Sequence, residues 1–160
     1  MKKILLGILY WIGQLTWGIV MSVIGLITTL ICLIFLKCKV HRNGFTFIVE
    51  FGGNWGGINL GCVSLCGGYT TICPDDNWFQ HTRRHEFGHS LQNLIFGPLF
   101  PFIVALPSVI RCQYQNYRSK KGLPNKEYDS IWFEFQASSL GHKAVNYIEN
   151  TDFKYTYKRK

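Results

Sequence analysis

Charge is scarce in this sequence: only 16% of its 160 residues are charged, and nine acidic residues stand against 17 lysines and arginines. Hydrophobic residues make up 48%, more than a soluble single domain of this length needs. Part of the chain is therefore expected in lipid. The net charge of +8 does not point to nucleic acid, because the basic residues flank apolar segments: Lys2 and Lys3, then Lys37, Lys39 and Arg42, then Arg111, Arg118, Lys120 and Lys121. That placement suits anionic lipid headgroups. The six cysteines form no C-x-x-C pair and show no regular spacing, so neither a zinc ribbon nor a disulfide framework is indicated. Glycines are plentiful, yet no G-x-G-x-x-G or G-K-[ST] pattern leads into a helix, which excludes a phosphate cradle.

Residues 4–36 are apolar almost throughout, interrupted by Gln14 and a few hydroxyl and glycine residues. As one helix they would extend about 50 Å, against a hydrocarbon core of about 30 Å. Two spans and a turn would need roughly 38 residues or more. A single tilted or bent N-terminal transmembrane helix is expected, with a hairpin bending near Gly13 or Gly18 as the alternative. No small-x-small cleavage site follows Lys2 and Lys3, so the segment reads as an anchor and not a signal peptide.

From Gly44 the texture changes to short β-rich pieces, FTFIVEF (45–51), INLGCVSLC (58–66) and YTTIC (69–73), separated by glycines. A small antiparallel three-stranded meander is expected. Pro74-Asp75-Asp76-Asn77 then stops the strand and starts a helix near Trp78, with Asn77 as N-cap. Residues 94–110 contain Pro98, Pro101 and Pro107, which argues against a straight span and for a bent or re-entrant segment. Asn125 can cap a last helix with Glu127 and Asp129 in its first turns, running to about Ile148. The predicted fold is an α+β membrane protein with an anchor over 1–40, a domain over 41–150 that embeds the apolar segment 94–110, and a frayed basic tail over 151–160.

The predicted helix carries RRHEFGHSLQ, residues 83–92. His85 and His89 are one turn apart on one face, so both imidazoles can reach one cation, while Glu86 is offset by about 100° and can reach a water beside it. Zinc held by three protein ligands leaves a position for water, and Glu86 is the expected general base. His81 completes an i, i+4, i+8 column but is too far from His89 to share one ion, and reads as a surface or supporting residue. The best third ligand is Glu134, a carboxylate inside an aromatic stretch where burial without a partner would be costly; Asp129 and His142 are its rivals. His142 lies eight residues after Glu134, on nearly the same face, and could stabilise an oxyanion. Arg83 and Arg84 read as interfacial charges. If Glu134 is to meet His85 and His89, the segment 94–110 must return to the side it left. The basic residues at both its ends agree, and by the positive-inside bias they put the site on the cytoplasmic side of the membrane.

HEFGH at 85–89 with Glu134 downstream resembles the zincin metallopeptidases, and Glu as third ligand is similar to the gluzincin arrangement. The string T-x-x-H-E-F-G-H-x-x-Q, Thr82 to Gln92, followed by GPLF, resembles a group of small bacterial membrane proteins carrying T-x-x-H-E-[FY]-G-H-x-x-Q. The zincin resemblance covers one helix and one carboxylate; it implies His85, His89 and Glu134 as zinc ligands and Glu86 as base. The chain departs from the gluzincin pattern at Ser138, where an acid often stands four residues after the third ligand. It also lacks the Asp-containing second motif of intramembrane site-2 proteases and the glycine-spaced third His of metzincins. The expectation is a membrane-anchored zinc metallopeptidase that cleaves a peptide or membrane-protein substrate near the bilayer surface, the substrate lying along an edge strand. The alternative is a non-enzymatic membrane protein that binds metal or a partner through a degenerate zincin-like fold.

Overall fold

The structure is a computed structural model that describes residues 1–36, 38–51, 56–67 and 77–155. Among them are five α-helices and a four-stranded sheet. The N-terminal apolar run is not one helix. Helix α1 (Lys2–Leu15) and helix α2 (Ile19–Phe35) meet at 93°, so the bent pair replaces the single tilted helix, and the bend falls at Gly18. The Gly18 N–H donates to the Gly13 carbonyl at 2.9 Å, a five-residue step that closes α1 with a wide turn. No single helix among the described residues is long and apolar enough to cross a membrane.

Strands β1 (Lys39–Asn43), β2 (Thr46–Phe51), β3 (Gly57–Leu60) and β4 (Val63–Gly67) are ordered β1-β2-β4-β3. The pairs β1–β2 and β3–β4 are antiparallel hairpins, while β2 and β4 run parallel, with Phe47 opposite Val63 and Phe51 opposite Gly67. The sheet is therefore mixed and not an antiparallel meander. Residues 58–66, read from sequence as one strand, turn back at Gly61. That residue adopts φ +69°, and the Asn59 side chain grips it by accepting from the Gly61 N–H at 3.0 Å and donating to the Gly61 carbonyl at 3.2 Å. Strand β1, KVHRN, carries no strand signal of its own, because three of its five residues are Lys, His and Arg. The expected strand at 69–73 lies outside the described residues.

The sheet is covered on both faces. On one, Cys32 of α2 packs with Val49, Cys62 and Val63. On the other, Phe79 of α3 (Asn77–Phe96) packs with Ile48 and Cys66. The Asn77 side chain, expected as the cap, lies outside the described residues. The last helix, α5 (Trp132–Glu149), backs α3. The two approach closely because Gly88 lies against the Ala137 backbone and Gly141 against the Arg84 backbone, leaving no room for a Cβ.

The proline-rich segment bends as expected. After α3 come a 3-10 turn at Gly97–Leu99 and a π turn at Pro101–Ala105, and α4 (Leu106–Lys120) leaves at 118° to α3. Gly97 supplies a positive φ of +53°, and Pro98 and Pro101 have no N–H to continue an α-helical ladder. Asn125 is not a helix cap. Its side chain donates to the Gln115 carbonyl and to Ser119 Oγ, and α5 begins only after a 3-10 turn at Tyr128–Ser130, with Ile131 at its cap position. Arg84 is 1% exposed and not interfacial: it bonds Gln80, Asn146 and Thr151 and stacks on Phe153. Nor is the tail frayed throughout, since Phe153 stacks on His142 and Tyr155 on His81; residues 156–160 lie outside the described residues. Cys32, Cys38, Cys62, Cys66 and Cys112 are free thiols, and Cys73 also lies outside.

Candidate metal centre

Helix α3 delivers His85 and His89 to one point, and the first turn of α5 delivers Glu134 to the same point. His85 Nε2 and Glu134 Oε2 are 3.1 Å apart, His89 Nε2 and Glu134 Oε2 3.2 Å, and the two Nε2 atoms 3.1 Å. Ligand bonds of about 2.0–2.2 Å to a tetrahedral ion put the donors about 3.3–3.6 Å from one another. The three atoms thus need move only a few tenths of an ångström to hold an ion and leave its fourth position open. All three residues are buried, and together they can hold a metal ion.

The hydrogen bonds behind the ligands fix which nitrogen of each ring is free. His85 Nδ1 is 2.8 Å from Ser138 Oγ, and that hydroxyl donates to Asp129 Oδ2 at 2.7 Å. Having spent its proton, Ser138 can only accept, so His85 carries its hydrogen on Nδ1. His89 Nδ1 is 2.7 Å from Gln92 Oε1. Gln92 is oriented by its own amide, which donates to the Phe133 carbonyl at 2.7 Å and to Gln136 Oε1 at 3.0 Å, so His89 is likewise protonated on Nδ1. Both Nε2 lone pairs therefore face a carboxylate oxygen with no proton between them. Three converging acceptors repel unless a cation or a shared proton lies among them. Burial acts to raise the Glu134 pKa, but the two histidines outweigh it and hold the carboxyl well below the usual range. Burial likewise opposes a charge on His85, and Glu134 together with Glu86 and Asp129 outweighs it, pulling that imidazole upward.

Glu86 stands beside this triad, 4% exposed, with Oε2 lacking any hydrogen-bond partner. Burial raises its pKa. Its other oxygen lies against Gly57 of β3, where an added Cβ would come within 2.6 Å. These residues open into a cleft of about 660 Å3. One wall is β3, the sheet's edge strand; the others include Met21, Phe100, Val109 and Tyr128. The Tyr128 ring meets His85 edge-on at 6.0 Å between centroids, and its hydroxyl, 3.3 Å from Ser108 Oγ, is kept protonated by burial.

The structure thus brings together His85, His89, Glu134 and Glu86. His142 is not at the cleft: its Nε2 meets His81 Nδ1 at 2.9 Å, and it is His81 that lines the cleft. Asp129 reaches His85 through Ser138. Sequence reasoning missed Gln92 and Ser138 as supports, although Gln92, at i+3 from His89 and on the same face, was visible in the motif. No protein-family model, curated protein or solved structure matches the chain.

Proposed function

We propose that this chain is a membrane-associated zinc metallopeptidase that hydrolyses a peptide bond near the bilayer surface. What carries the reading is the convergence of two imidazole lone pairs and one carboxylate oxygen, with a second buried carboxylate beside them, Glu86, whose Oε2 has no hydrogen-bond partner. A two-nitrogen, one-oxygen donor set with an open fourth position suits zinc, which when bound polarises a carbonyl and acidifies water. Glu86 Oε2 takes the proton of the attacking water and returns it to the leaving amine, a task that its raised pKa favours. Tyr128 and His81, among the donors that line the cleft, serve an oxyanion, with His142 acting behind His81. An extended peptide adds to the edge of β3 that is unpaired among the described residues, which brings its backbone past Glu86. Association with a membrane is supported by the apolar residues left exposed on α1, α2 and the Gly97 bend, such as Ile8, Ile27, Leu30 and Phe102.

The test uses protein purified in detergent, with zinc content and peptide hydrolysis measured for wild type, His85→Ala and Glu86→Gln. Wild type is expected to bind zinc stoichiometrically and cleave, His85→Ala to do neither, and Glu86→Gln to keep zinc and lose cleavage. Wild type that takes up no zinc, or Glu86→Gln that cleaves at the wild-type rate, refutes the enzyme. Zinc without cleavage in wild type leaves the metal-binding partner protein as the better reading.

A further inference from the structure

Helix α2, about 26 Å long at 1.5 Å per residue, falls short of the roughly 30 Å of a hydrocarbon core, although its composition would suit a span. Its packing does not. Along its inner side α2 is fastened to the sheet from end to end: Ser22 lies against Gly61, Gly25 against Leu60, and Cys32 joins Val49, Cys62, Val63 and Cys38 in one cluster. The sheet sits wherever α2 sits. Its edge strand β1 carries Lys39 and Arg42 and leaves one side of its backbone unpaired among the described residues. Neither a charged side chain nor an open strand edge is stable in hydrocarbon, and α2 at full depth would take both there.

Helix α1 is tied down in the same way, because Lys3 Nζ donates to the Ile148 carbonyl at 3.1 Å and to Asn150 Oδ1 at 2.6 Å, at the far end of α5. The two bends also meet. Trp17 lies against Gly97, and Asn93 donates to the Gly18 carbonyl at 3.0 Å and to Gln14 Oε1 at 2.7 Å. The backbone at the first bend is therefore bonded inside the protein, the Gly18 carbonyl by Asn93 and by the Ser22 N–H and the Gly18 N–H by the Gly13 carbonyl, which is the condition for a broken helix at membrane depth. Outward, the same elements present mostly apolar surface, including Leu9, Ile12, Trp17, Val23, Ile34 and Leu99. No charged residue occurs in 4–36 or 95–110, whereas lysines stand at 2, 3, 39, 120 and 121.

We propose that the chain docks monotopically: the outer faces of α1 and α2 and the Gly97 bend lie in one leaflet of an anionic bilayer, and neither bent pair crosses it. Lys2, Lys39 and Lys120 then face the headgroups of one and the same surface, the attraction of each basic group adding to apolar burial. The inference rests on the membrane association proposed for this chain and not on the metal chemistry.

The experiment places single cysteines at the exposed positions Lys2→Cys, Lys39→Cys and Lys120→Cys, in a full-length chain whose native cysteines are replaced by serine or alanine. Each is labelled with a membrane-impermeant maleimide in intact and in permeabilised bacterial cells. Monotopic docking predicts the same response at all three. A label at Lys39 that reads the opposite side from Lys2 or Lys120 overturns it. A second series keeps the native cysteines and carries a protease-sensitive tag at the N-terminus, in the loop around Gly122 or at the C-terminus; all three are expected on one side, and a split overturns the proposal. Flotation of wild type with phosphatidylglycerol-containing vesicles is expected to exceed flotation with pure phosphatidylcholine. Recovery only in the aqueous fraction would overturn membrane association itself, while zinc content, read on the same material, reports the metal centre independently.

Discussion

Ser138 and Gln92 are not themselves among the three ligands, yet each determines which nitrogen of a histidine faces the site. Losing such an oriented partner typically weakens metal affinity by about 10- to 100-fold. Ser138→Ala and Gln92→Ala are each expected to show a loss of that size in a chelator competition titration while remaining folded. Gly57→Ala is a third residue-scale prediction. Its Cβ would stand 2.6 Å from Glu86 Oε1 and must displace the carboxylate, so zinc content should hold while peptide hydrolysis falls. The His81–His142 pair gives a pH prediction. Burial, then the neighbouring His85, pushes His81 down to about 3; burial, then Arg84, pushes His142 down to about 4. An unfolded histidine takes up its proton near about 6.5, so below that pH the unfolded state binds protons that the folded state refuses. The stability concerned is complete above that pH and is lost as pH falls from there toward 4. The Tm of metal-free protein should drop between pH 7 and pH 5, and His142→Gln should flatten that drop. The HExxH ligands were legible because helical spacing alone puts them on one face, and Glu134 because a lone carboxylate among aromatics needs a partner. The role of Ser138 was not, because the acid behind His85 comes from Asp129, nine residues earlier across a 3-10 turn that no local pattern announced.

At the scale of elements, the crossing of α3 and α5 holds the ligands together, and glycine makes that crossing possible. A methyl group at Gly88 meets the Ala137 backbone and one at Gly141 meets the Arg84 backbone, and neither backbone can swing aside as a side chain would. Gly141→Ala is expected to cost at least the upper end of the about 1–3 kcal/mol usual for overpacking, measured by thermal or denaturant unfolding in detergent, with zinc affinity falling alongside. The docking of α1 and α2 onto α3 depends on Gln14, wholly buried, which donates to the Ser90 carbonyl at 2.9 Å and accepts from Ser22 at 2.9 Å and Asn93 at 2.7 Å. Gln14→Leu leaves those groups without their partner, at a cost of about 1–3 kcal/mol in the same assay. Gln14 was conspicuous in the sequence as the one amide in an apolar run, and its partners on α3 were not, since Ser90 and Asn93 lie 76 and 79 residues away. The helices at 77–96 and 132–149 and the proline bend were readable from local signals. The mixed sheet was not, because parallel pairing of β2 with β4 is a long-range choice, and because the Gly61 turn sits inside INLGCVSLC, a stretch that reads as one strand.

At the scale of the whole molecule, the segment over 1–40, expected as an anchor, packs against the elements that follow it. Met21 of α2 shares a cluster with Phe100, Val104 and Phe133, next to Glu134. Tyr10 of α1 shares another with Phe87 and Val145, and its hydroxyl bonds Ser90 Oγ, one residue beyond the ligand His89. The N-terminal helices thus form two walls of the core that holds α3 in place. A tether can be cut without harm to what it tethers, whereas a wall cannot. A chain beginning at Lys39 would expose Val49, Val63, Phe87 and Phe100, all now 1% exposed or less, and would leave Ser90 and Asn93 without Gln14. Losing the burial of even two such side chains removes roughly 3–6 kcal/mol, a large part of the 5–15 kcal/mol by which domains are usually stable. The truncated chain is therefore expected to lose zinc binding and its cooperative thermal transition together, in detergent as well as in buffer. A truncated chain that binds zinc with wild-type affinity would show that residues 1–38 are a tether after all, and that α3 holds its ligands in place without Gln14 and Tyr10.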